Sequence, residues 1–235
     1  MAITIIIPTY NEEKTILDLL RHLTAANKST KSLDILVVDG GSTDDTAHLV
    51  KEEGFKCVSS ERKGRAAQMN IGAKLASGDT LYFVHADTRP PLSFIDDINK
   101  AINEGCRSGC YRYQFDSYPN PLLRINAYCT RFNRIMCRGG DQTLFITKNL
   151  FKDLGGFRED YVIMEDYDLI QRIQKEAAFK IIPKNAIVSS RKYDRNGYFK
   201  VQIANLVVFM MYFAGSSQER MVHAYKSLIN YPKLG

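Results

Sequence analysis

The 235-residue sequence lacks several patterns that mark common classes of protein. Its five cysteines form no Cys-x-x-Cys pair, which argues against a zinc ribbon, and their odd number argues against a disulfide framework. No Gly-x-Gly-x-x-Gly motif follows a predicted strand, which disfavours a dehydrogenase. We therefore expect reduced thiols in or near the core and a function other than hydride transfer.

The sequence also has no basic leader, and its first apolar run is far shorter than a signal peptide requires. We therefore expect a cytoplasmic protein. The net charge of +6 suits an anionic partner, but no block of Lys and Arg and no nucleic-acid motif accompanies it. Because a few phosphate groups would satisfy this excess as well as a nucleic acid would, we predict that the protein binds no nucleic acid.

Short, almost wholly apolar runs alternate with amphipathic stretches in the first half of the chain. Such runs predict strands that are covered on both faces, at the spacing of strand–helix–strand units. They indicate a mainly parallel α/β sheet flanked by helices, followed by a mixed second half. The predicted strands are 3–8, 35–38, 56–58, 81–84, 111–115 and 143–146, and the predicted helices start at Asn11 and at Ser42 or Thr43 and span 65–76, 93–103 and 166–176.

Residues 198–214 form a strongly apolar stretch. The stretch is shorter than the ~20 apolar residues of a spanning helix, and three polar residues interrupt it. One prediction is a helix that packs on the domain or in a homodimer. The other is a helix that lies on the inner face of a membrane beside Arg191, Lys192, Arg195 and Lys200. The sequence leaves both open.

Acidic residues recur where the predicted strands and helices begin or end. A carboxylate just past a buried strand faces a crevice and not the core. Several carboxylates in one crevice serve mainly to hold a metal, to read the polar edges of a ligand, or to move a proton. The clusters are Asn11-Glu12-Glu13, the run 39–45, His85-Ala86-Asp87-Thr88 and Glu165-Asp166-Tyr167-Asp168.

Three aspartates in these clusters each have a chemical role and a structural alternative. Asp39 could accept the N–H of a nucleotide base, a charged hydrogen bond worth roughly 1.5 to 3 kcal/mol, or it could cap the following helix. Asp87 could join phosphates and water around Mg²⁺ or Mn²⁺, or it could be a turn residue. Asp166 could act as a general base, or it could cap its helix.

The order of these motifs closely resembles family 2 of the inverting glycosyltransferases, which have the GT-A fold, over nearly the whole chain. The matching motifs are Ile-Ile-Pro-Thr-Tyr-Asn-Glu-Glu at 6–13, Val-Val-Asp-Gly-Gly-Ser-Thr-Asp-Asp-Thr at 37–46, Gly-Arg-Ala-Ala-Gln-Met-Asn at 64–70, His-Ala-Asp-Thr at 85–88, Gly-Gly-Phe at 155–157 and Glu-Asp-Tyr-Asp-Leu at 165–169. Gly140-Asp141-Gln142, Ser189-Ser190-Arg191 and the apolar tail are similar to a bacterial subgroup labelled arsenosugar-biosynthesis glycosyltransferases.

The resemblance implies a GT-A-like, or Rossmann-like, catalytic domain over 1–195 and a C-terminal helical extension over 196–235. The half at 1–91 would bind the nucleotide sugar, and the half at 92–195 would bind the acceptor. The enzyme would move a sugar from a nucleoside diphosphate sugar, with a UDP-sugar favoured, to a hydroxyl acceptor that the sequence does not identify. Mn²⁺ or Mg²⁺ would assist this transfer.

The resemblance also implies roles for individual residues. Asp166 would be the catalytic base, and Asp87 would be the metal ligand, with His85 as a second candidate ligand. Arg65 would approach the base or the diphosphate, or else be a solvated helix charge. The nucleotide-sugar side would comprise Pro8, Thr9, Glu12, Asp39, Gly41, Arg65, Ala86 and Asp87. The acceptor side would comprise Gly140, Asp141, Gln142, Glu165 and Arg191.

The sequence departs from the family pattern at His85, where the Asp-x-Asp signature has its first aspartate. His85 could be a ligand, a group that orients a ligand, or a hydrogen-bonding residue at a strand end. Because the signature is incomplete, a non-catalytic sugar-nucleotide-binding module is one alternative. A nucleotidyltransferase acting on a sugar phosphate is another, although residues 8–13 stand where a glycine-rich, basic loop would be expected.

Overall fold

A computed structural model describes residues 2–27, 33–138 and 142–230, and within them eight strands form one mixed sheet in the order β3-β2-β1-β4-β7-β6-β8-β5. The strands are β1 Ile3–Thr9, β2 Asp34–Asp39, β3 Lys56–Ser59, β4 Thr80–Phe83, β5 Thr88–Arg89, β6 Ser108–Phe115, β7 Leu144–Thr147 and β8 Phe179–Val188. The helices are α1 Ile16–Ala25, α2 Thr46–Glu52, α3 Arg65–Leu75, α4 Phe94–Asn103, α5 Leu123–Cys129, α6 Lys148–Asp153, α7 Glu165–Glu176, α8 Arg191–Asn196, α9 Tyr198–Phe213 and α10 Gln218–Leu228. Ile135–Cys137 is a 3₁₀ turn.

The first four strands form the parallel half of the sheet. β1 pairs in parallel with β2 and with β4, and β2 pairs in parallel with β3. All seven residues of β1 are buried, since helices cover both faces of this half. The parallel α/β arrangement predicted from the apolar runs is therefore confirmed.

The second half of the sheet is mixed. β7 runs antiparallel to β4 and β6, β6 runs parallel to β8, and β5 pairs with β8 through Thr88 and Val188. This last pairing brings the segment after β4 next to the end of β8. The register of β6 with β8 shifts after Tyr111, and the shift leaves Pro183 outside the ladder, where its missing N–H costs nothing.

The cores lie on both faces of the sheet. One forms under α1 and α4, and a second forms under α3, α6 and α7. α3 lies so close to β1 that a Cβ at Gly72 would overlap the Ile6 side chain. A third cluster joins the ends of β6 and β8 to α8, α9 and α10.

Two predicted helix starts are wrong. Asn11 does not cap α1, which begins at Ile16 after Thr15, so Glu12 and Glu13 lie in the preceding loop. α2 begins at Thr46, and not at Ser42 or Thr43. In both cases the residues predicted at the helix start, Asn11 and Ser42 or Thr43, form hydrogen bonds between the loops after β1 and β2 and do not cap a helix.

The C-terminal helices α9 and α10 pack against each other. Val201, Ala204 and Val208 on α9 are buried, as are Met221 and Tyr225 on α10. The prediction of one helix over the apolar stretch 198–214 is confirmed. Within the described part of the chain, no helix is both long enough and apolar enough to cross a membrane.

Candidate active site

The carboxyl ends of β1, β2 and β4 meet at one edge of the sheet, because these strands run parallel. Thr9 lies opposite Asp39 in the β1–β2 register. The N–H of Val84 donates to the carbonyl oxygen of Ile6 at 3.0 Å, so the chain leaves β4 towards Asp87 beside these ends. We call this edge, with Thr9, Glu12, Asp39, Asp87 and Arg191, the strand-end site.

The loops after β1 and β2 are joined by hydrogen bonds. The Asn11 N–H donates to Ser42 Oγ at 2.9 Å, and the Thr43 N–H donates to Asn11 Oδ1 at 2.8 Å. The Glu12 N–H donates to Thr46 Oγ1 at 2.8 Å. Asn11 has a φ of 53°, a left-handed conformation that asparagine tolerates better than most residues. These bonds fix the position of both loops relative to each other.

Asp39 ends β2 and is 3% exposed. Its Oδ2 accepts the N–H groups of Gly41 and Ser42, each at 3.0 Å, and its Oδ1 accepts the Ser42 hydroxyl at 2.5 Å. Gly41 has a φ of 86°, a conformation that favours glycine. The carboxylate therefore stabilises the turn. Because a carboxylate has about four acceptor positions, these three bonds leave capacity for one more donor.

Arg191, at the start of α8, bridges two acidic residues of the strand-end site. Its Nη2 donates to Glu12 Oε1 at 2.9 Å and to Asp87 Oδ2 at 2.7 Å. The pairing of β5 with β8 brings residues 87 and 191 together. Glu12 is 3% exposed, so the guanidinium neutralises a buried carboxylate. The family resemblance predicted Arg191 on the acceptor side. Its contacts are instead with two residues that were predicted for the nucleotide-sugar side.

The charge of Arg191 is stabilised by these neighbours. Partial burial disfavours the charged form, but the hydrogen bonds and charges of Glu12 and Asp87 outweigh it and raise the pKa of Arg191 above its ordinary value. The guanidinium is therefore positively charged at neutral pH.

A second pair of charged residues joins the starts of α3 and α7. Arg65 Nη2 lies 2.6 Å from Glu165 Oε1, as an ion pair without hydrogen-bond geometry. The side chain of Glu165 is 1% exposed, and that of Arg65 is 38% exposed. Arg65 is therefore not simply a solvated helix charge, since it neutralises a buried carboxylate.

Asp166 follows Glu165 in the first turn of α7 and is half-buried. The residue before the helix, Met164, has a φ of 67°, which is uncommon outside glycine and costs about 1 to 2 kcal/mol. Strained backbone of this kind persists where surrounding contacts hold it, often at functional sites. The amphipathic face of α7 anchors the helix, because Leu169 and Ile173 are fully buried.

Gln68 on α3 ties the site to the sheet, a role that we did not predict. Its Nε2 donates to the carbonyl oxygens of Thr9 and Val38, both at 2.7 Å, and the side chain is buried. A Cβ at Gly40 would lie 2.9 Å from this nitrogen, so a larger residue there would displace it. In the sequence, the feature that could have indicated this role is that Gln68 is a polar residue between apolar residues of a predicted helix.

The remaining predicted site residues either lie at the strand ends or contact a different part of the molecule. Pro8 and Ala86 are buried at the strand ends, and His85 is half-buried there. Gln142 is buried and accepts a bond from the Cys110 thiol at 3.7 Å. Gly140 and Asp141 lie outside the described residues.

Cys110 belongs to a buried polar cluster with Arg138, which sequence reasoning did not identify. Arg138 is 2% exposed and donates to Cys110 Sγ at 2.9 Å and to the carbonyl oxygen of Phe132 at 2.7 Å. Burial raises the pKa of the Cys110 thiol to about 11, although Arg138 acts to lower it. All five cysteines are free thiols, as expected from their spacing.

The described residues offer few ligands for a metal ion. Over 2–27, 33–138 and 142–230, no group of three or more His, Cys, Asp or Glu side chains is arranged to hold one. Mg²⁺ and Mn²⁺ often take only one or two carboxylates from the protein and complete their shell with phosphate and water. Asp87 fits such a partial ligand set.

The sequence matches a known family. Residues 4–154 match the family model described as glycosyl transferase family 2. A curated relative from Methanococcus voltae is 34% identical over 100 residues, which is 40% of this chain and 31% of that protein. Its name is dolichyl N-acetyl-alpha-D-glucosaminyl phosphate 3-beta-D-2,3-diacetamido-2,3-dideoxy-beta-D-glucuronosyltransferase. The match thus spans about a third of the length of that relative.

Solved structures share the fold. Residues 1–349 of S. aureus TarS, in complex with UDP-GlcNAc, superpose with a TM-score of 0.68 at 19% identity, over 97% of this chain and 71% of that fragment. The mannosyltransferase PcManGT from Pyrobaculum calidifontis, in complex with GDP-Man and Mn²⁺, superposes with a TM-score of 0.68 at 20% identity, over 96% of this chain and 69% of PcManGT. The mixed sheet flanked by helices is therefore the fold that these two proteins share with this chain.

Proposed function

Because the chain belongs to glycosyl transferase family 2, we propose that it moves a sugar from a nucleoside diphosphate sugar to an acceptor hydroxyl, with inversion at the anomeric carbon. The observation that carries this proposal is the strand-end site, where Arg191 lies among carboxylates at the ends of parallel strands. A second cation, Arg65, pairs with Glu165 at the starts of α3 and α7. Ligands of open α/β sheets bind at this edge. A diphosphate supplies the negative charge that suits Arg65 and Arg191.

Asp39 is proposed to read the base of the donor, which we take to be uracil. Its remaining acceptor position could take one N–H from the edge of the base, while Gly41 and Ser42 hold the carboxylate in place. Pro8, Thr9 and Ala86 would form the walls around the nucleoside. Such a charged hydrogen bond distinguishes bases that present a donor from those that do not.

Asp166 is proposed as the general base. Asp166 would accept the proton of the acceptor hydroxyl while the hydroxyl oxygen attacks the anomeric carbon. The bond between this carbon and the leaving diphosphate would break on the opposite face of the sugar, so the configuration is inverted. A positioned base of this kind contributes on the order of 10² to 10⁴ in rate. The ion pair of Arg65 with the buried Glu165 would hold the start of α7 in position.

Asp87 is proposed to hold a divalent cation, with His85 as a further candidate ligand. When bound, the cation would offset the charge that grows on the leaving diphosphate. Arg191 would have to share Asp87 with it, because its guanidinium lies 2.7 Å from the same carboxylate. Arg191 would then also be available to the diphosphate.

The experiment combines donor binding with product analysis. A panel of nucleotide sugars is screened by thermal shift with Mn²⁺, since a ligand at about 100 times its dissociation constant adds about 2.7 kcal/mol of stability. The stabilising donor is then incubated with the enzyme in water, and NMR records the anomer released by slow hydrolysis. An inverted sugar supports the proposal. Stabilisation without any hydrolysis or transfer would favour a non-catalytic binding module.

A further inference from the structure

Helix α9 exposes a continuous row of large apolar side chains, which we call the α9 stripe. The exposed fractions are 66% for Phe199, 53% for Ile203, 56% for Leu206, 55% for Met210 and 51% for Phe213. The alternating spacing of four and three residues places all five on one face of the helix. The stripe runs along most of the 16-residue helix, a length of about 24 Å.

The opposite face of α9 is already packed. Val201, Ala204 and Val208 contact the core that α10 helps to form. The helix is therefore apolar on two opposite faces, a pattern found where both faces are covered by protein or by lipid. Contiguous exposed apolar patches of this kind mark sites of interaction.

A neighbouring segment has the same character. Ile125, Tyr128, Phe132 and Met136 are between 47% and 71% exposed. This segment contacts α9, since Tyr198 Oη donates to Asn126 Oδ1 at 3.2 Å. Aromatic and aliphatic side chains in this pattern suit the boundary between water and lipid tails.

Both apolar segments contain cationic residues and no acidic ones. The sequence has no Asp or Glu between Asp116 and Asp141, or between Asp194 and Glu219. The cationic residues on or beside these segments are Arg124, Arg131, Arg134, Arg195, Lys200 and Lys226, and all six are exposed. None of them forms an ion pair with a carboxylate of the described residues.

Three of these cations lie together at one end of the stripe. Arg195, Lys200 and Lys226 line one cavity of about 600 Å³ beside the start of α9. Three cationic residues around one cavity suit an anionic headgroup, and Lys200 follows Phe199 of the stripe directly. The cavity and the stripe therefore offer the two kinds of contact that a lipid surface requires.

We propose that the α9 stripe lies in the interface of a membrane that contains anionic lipids, with these cations at the level of the headgroups. Charge decides between a lipid surface and a second copy of the chain. A two-fold dimer brings the same patch of both copies together, and neither copy would supply an acidic residue from these segments to pair with the cations. An anionic membrane neutralises them, and apolar burial of about 5 to 10 Å suits an interfacial helix.

The first test uses fluorescence, because the chain has no tryptophan. Phe199→Trp introduces a single indole in the stripe, and Leu75→Trp introduces one at an exposed leucine on α3 as the matched control. With vesicles of phosphatidylcholine and phosphatidylglycerol, we expect a blue shift and quenching by brominated lipid for the stripe variant alone. Equal responses of both variants, or no response of either, would overturn the proposal.

The second test measures vesicle binding by co-sedimentation. Ile203→Gln combined with Leu206→Gln should weaken binding at least tenfold, and Lys200→Gln combined with Lys226→Gln should weaken it selectively for anionic vesicles, by about fivefold per cation. Leu75→Gln should bind like the wild type.

Sedimentation equilibrium on the same samples should give a monomer. A dimer that the stripe variant converts to a monomer would overturn the proposal in favour of a second copy.

No nucleotide or acceptor is present in these measurements, so they are independent of the proposed transferase activity. Thermal melting tests whether each variant is folded. We expect all of them to fold, because the substituted side chains are exposed. A folded stripe variant with unchanged vesicle binding would also contradict the inference.

Discussion

At the level of single residues, Asp39 stabilises the turn after β2 and is proposed to read the base of the donor. Asp39→Ala should weaken binding of the donor nucleotide by roughly 10- to 150-fold, which corresponds to a charged hydrogen bond of about 1.5 to 3 kcal/mol. Ser42→Ala is the matched control, because it removes the 2.5 Å bond to Asp39 without removing the carboxylate. Titration calorimetry measures both dissociation constants. An unchanged constant for Asp39→Ala would reject its role in reading the base.

Asp166 should affect the chemical step and not the bound donor. We expect Asp166→Asn to lower kcat by on the order of 10² to 10⁴, because a general base acts in the transition state. The dissociation constant of the nucleotide should stay within about twofold of the wild-type value. Asp160→Asn, at an exposed position paired with Arg158, serves as the control. Wild-type turnover in Asp166→Asn would remove Asp166 from this role.

At the level of elements, Asp97 joins α4 to β6 and β8. Its carboxylate accepts bonds from Lys184 Nζ at 2.6 Å, Ser93 Oγ at 2.7 Å and Tyr111 Oη at 3.0 Å. Burial acts to raise the pKa of Asp97, but these hydrogen bonds outweigh it and lower the pKa below its ordinary value. The contact therefore stabilises the fold above about pH 4, the ordinary unfolded value, and this stability is lost as the pH falls through the folded-state pKa.

Asp97→Asn should therefore make the free energy of unfolding less dependent on pH below about pH 4. Urea unfolding at several acidic pH values measures this slope. Asp96→Asn, at the exposed neighbouring position, should keep the wild-type slope. A wild-type slope for Asp97→Asn would show that the contacts of Asp97 do not persist in solution.

Elements with strong local patterns could be predicted from the sequence, and those set by distant contacts could not. β1 and α7 begin and end within one residue of the predicted bounds. The burial of β1 follows from its continuous apolar run, and that of α7 follows from its helical apolar spacing. The prediction for Asn11 failed because its side chain bonds Thr43, a residue 32 positions away. β8 was not predicted, since Pro183 interrupts its pattern and only the register shift against β6 accommodates it.

For the whole molecule, Arg191 links three distant parts of the chain. Its partners Glu12 and Asp87 lie 179 and 104 positions away, so no local pattern in the sequence indicates the contact. The motifs identified the carboxylates, but the fold alone brings this guanidinium to them. The same holds for Gln68, whose two acceptors belong to different strands.

This linkage predicts energetic coupling between Glu12 and Arg191. A double-mutant cycle with Glu12→Gln and Arg191→Gln should give a coupling free energy of unfolding of about 1 to 3 kcal/mol, because Glu12 is buried. Since the side chain of Arg191 is 34% exposed, solvent screening favours the lower part of that range. The exposed pair Arg158 and Asp160 should give less than about 1 kcal/mol. Equal coupling in both pairs would contradict the bridge.

The strand-end site is proposed to bind the donor, and a crystal structure of the protein with UDP and Mn²⁺ would show whether it does. We expect a base N–H donating to Asp39, the diphosphate between Arg65 and Arg191, and the cation on Asp87. A nucleotide bound away from the ends of β1, β2 and β4 would rule out the strand-end site as the donor site.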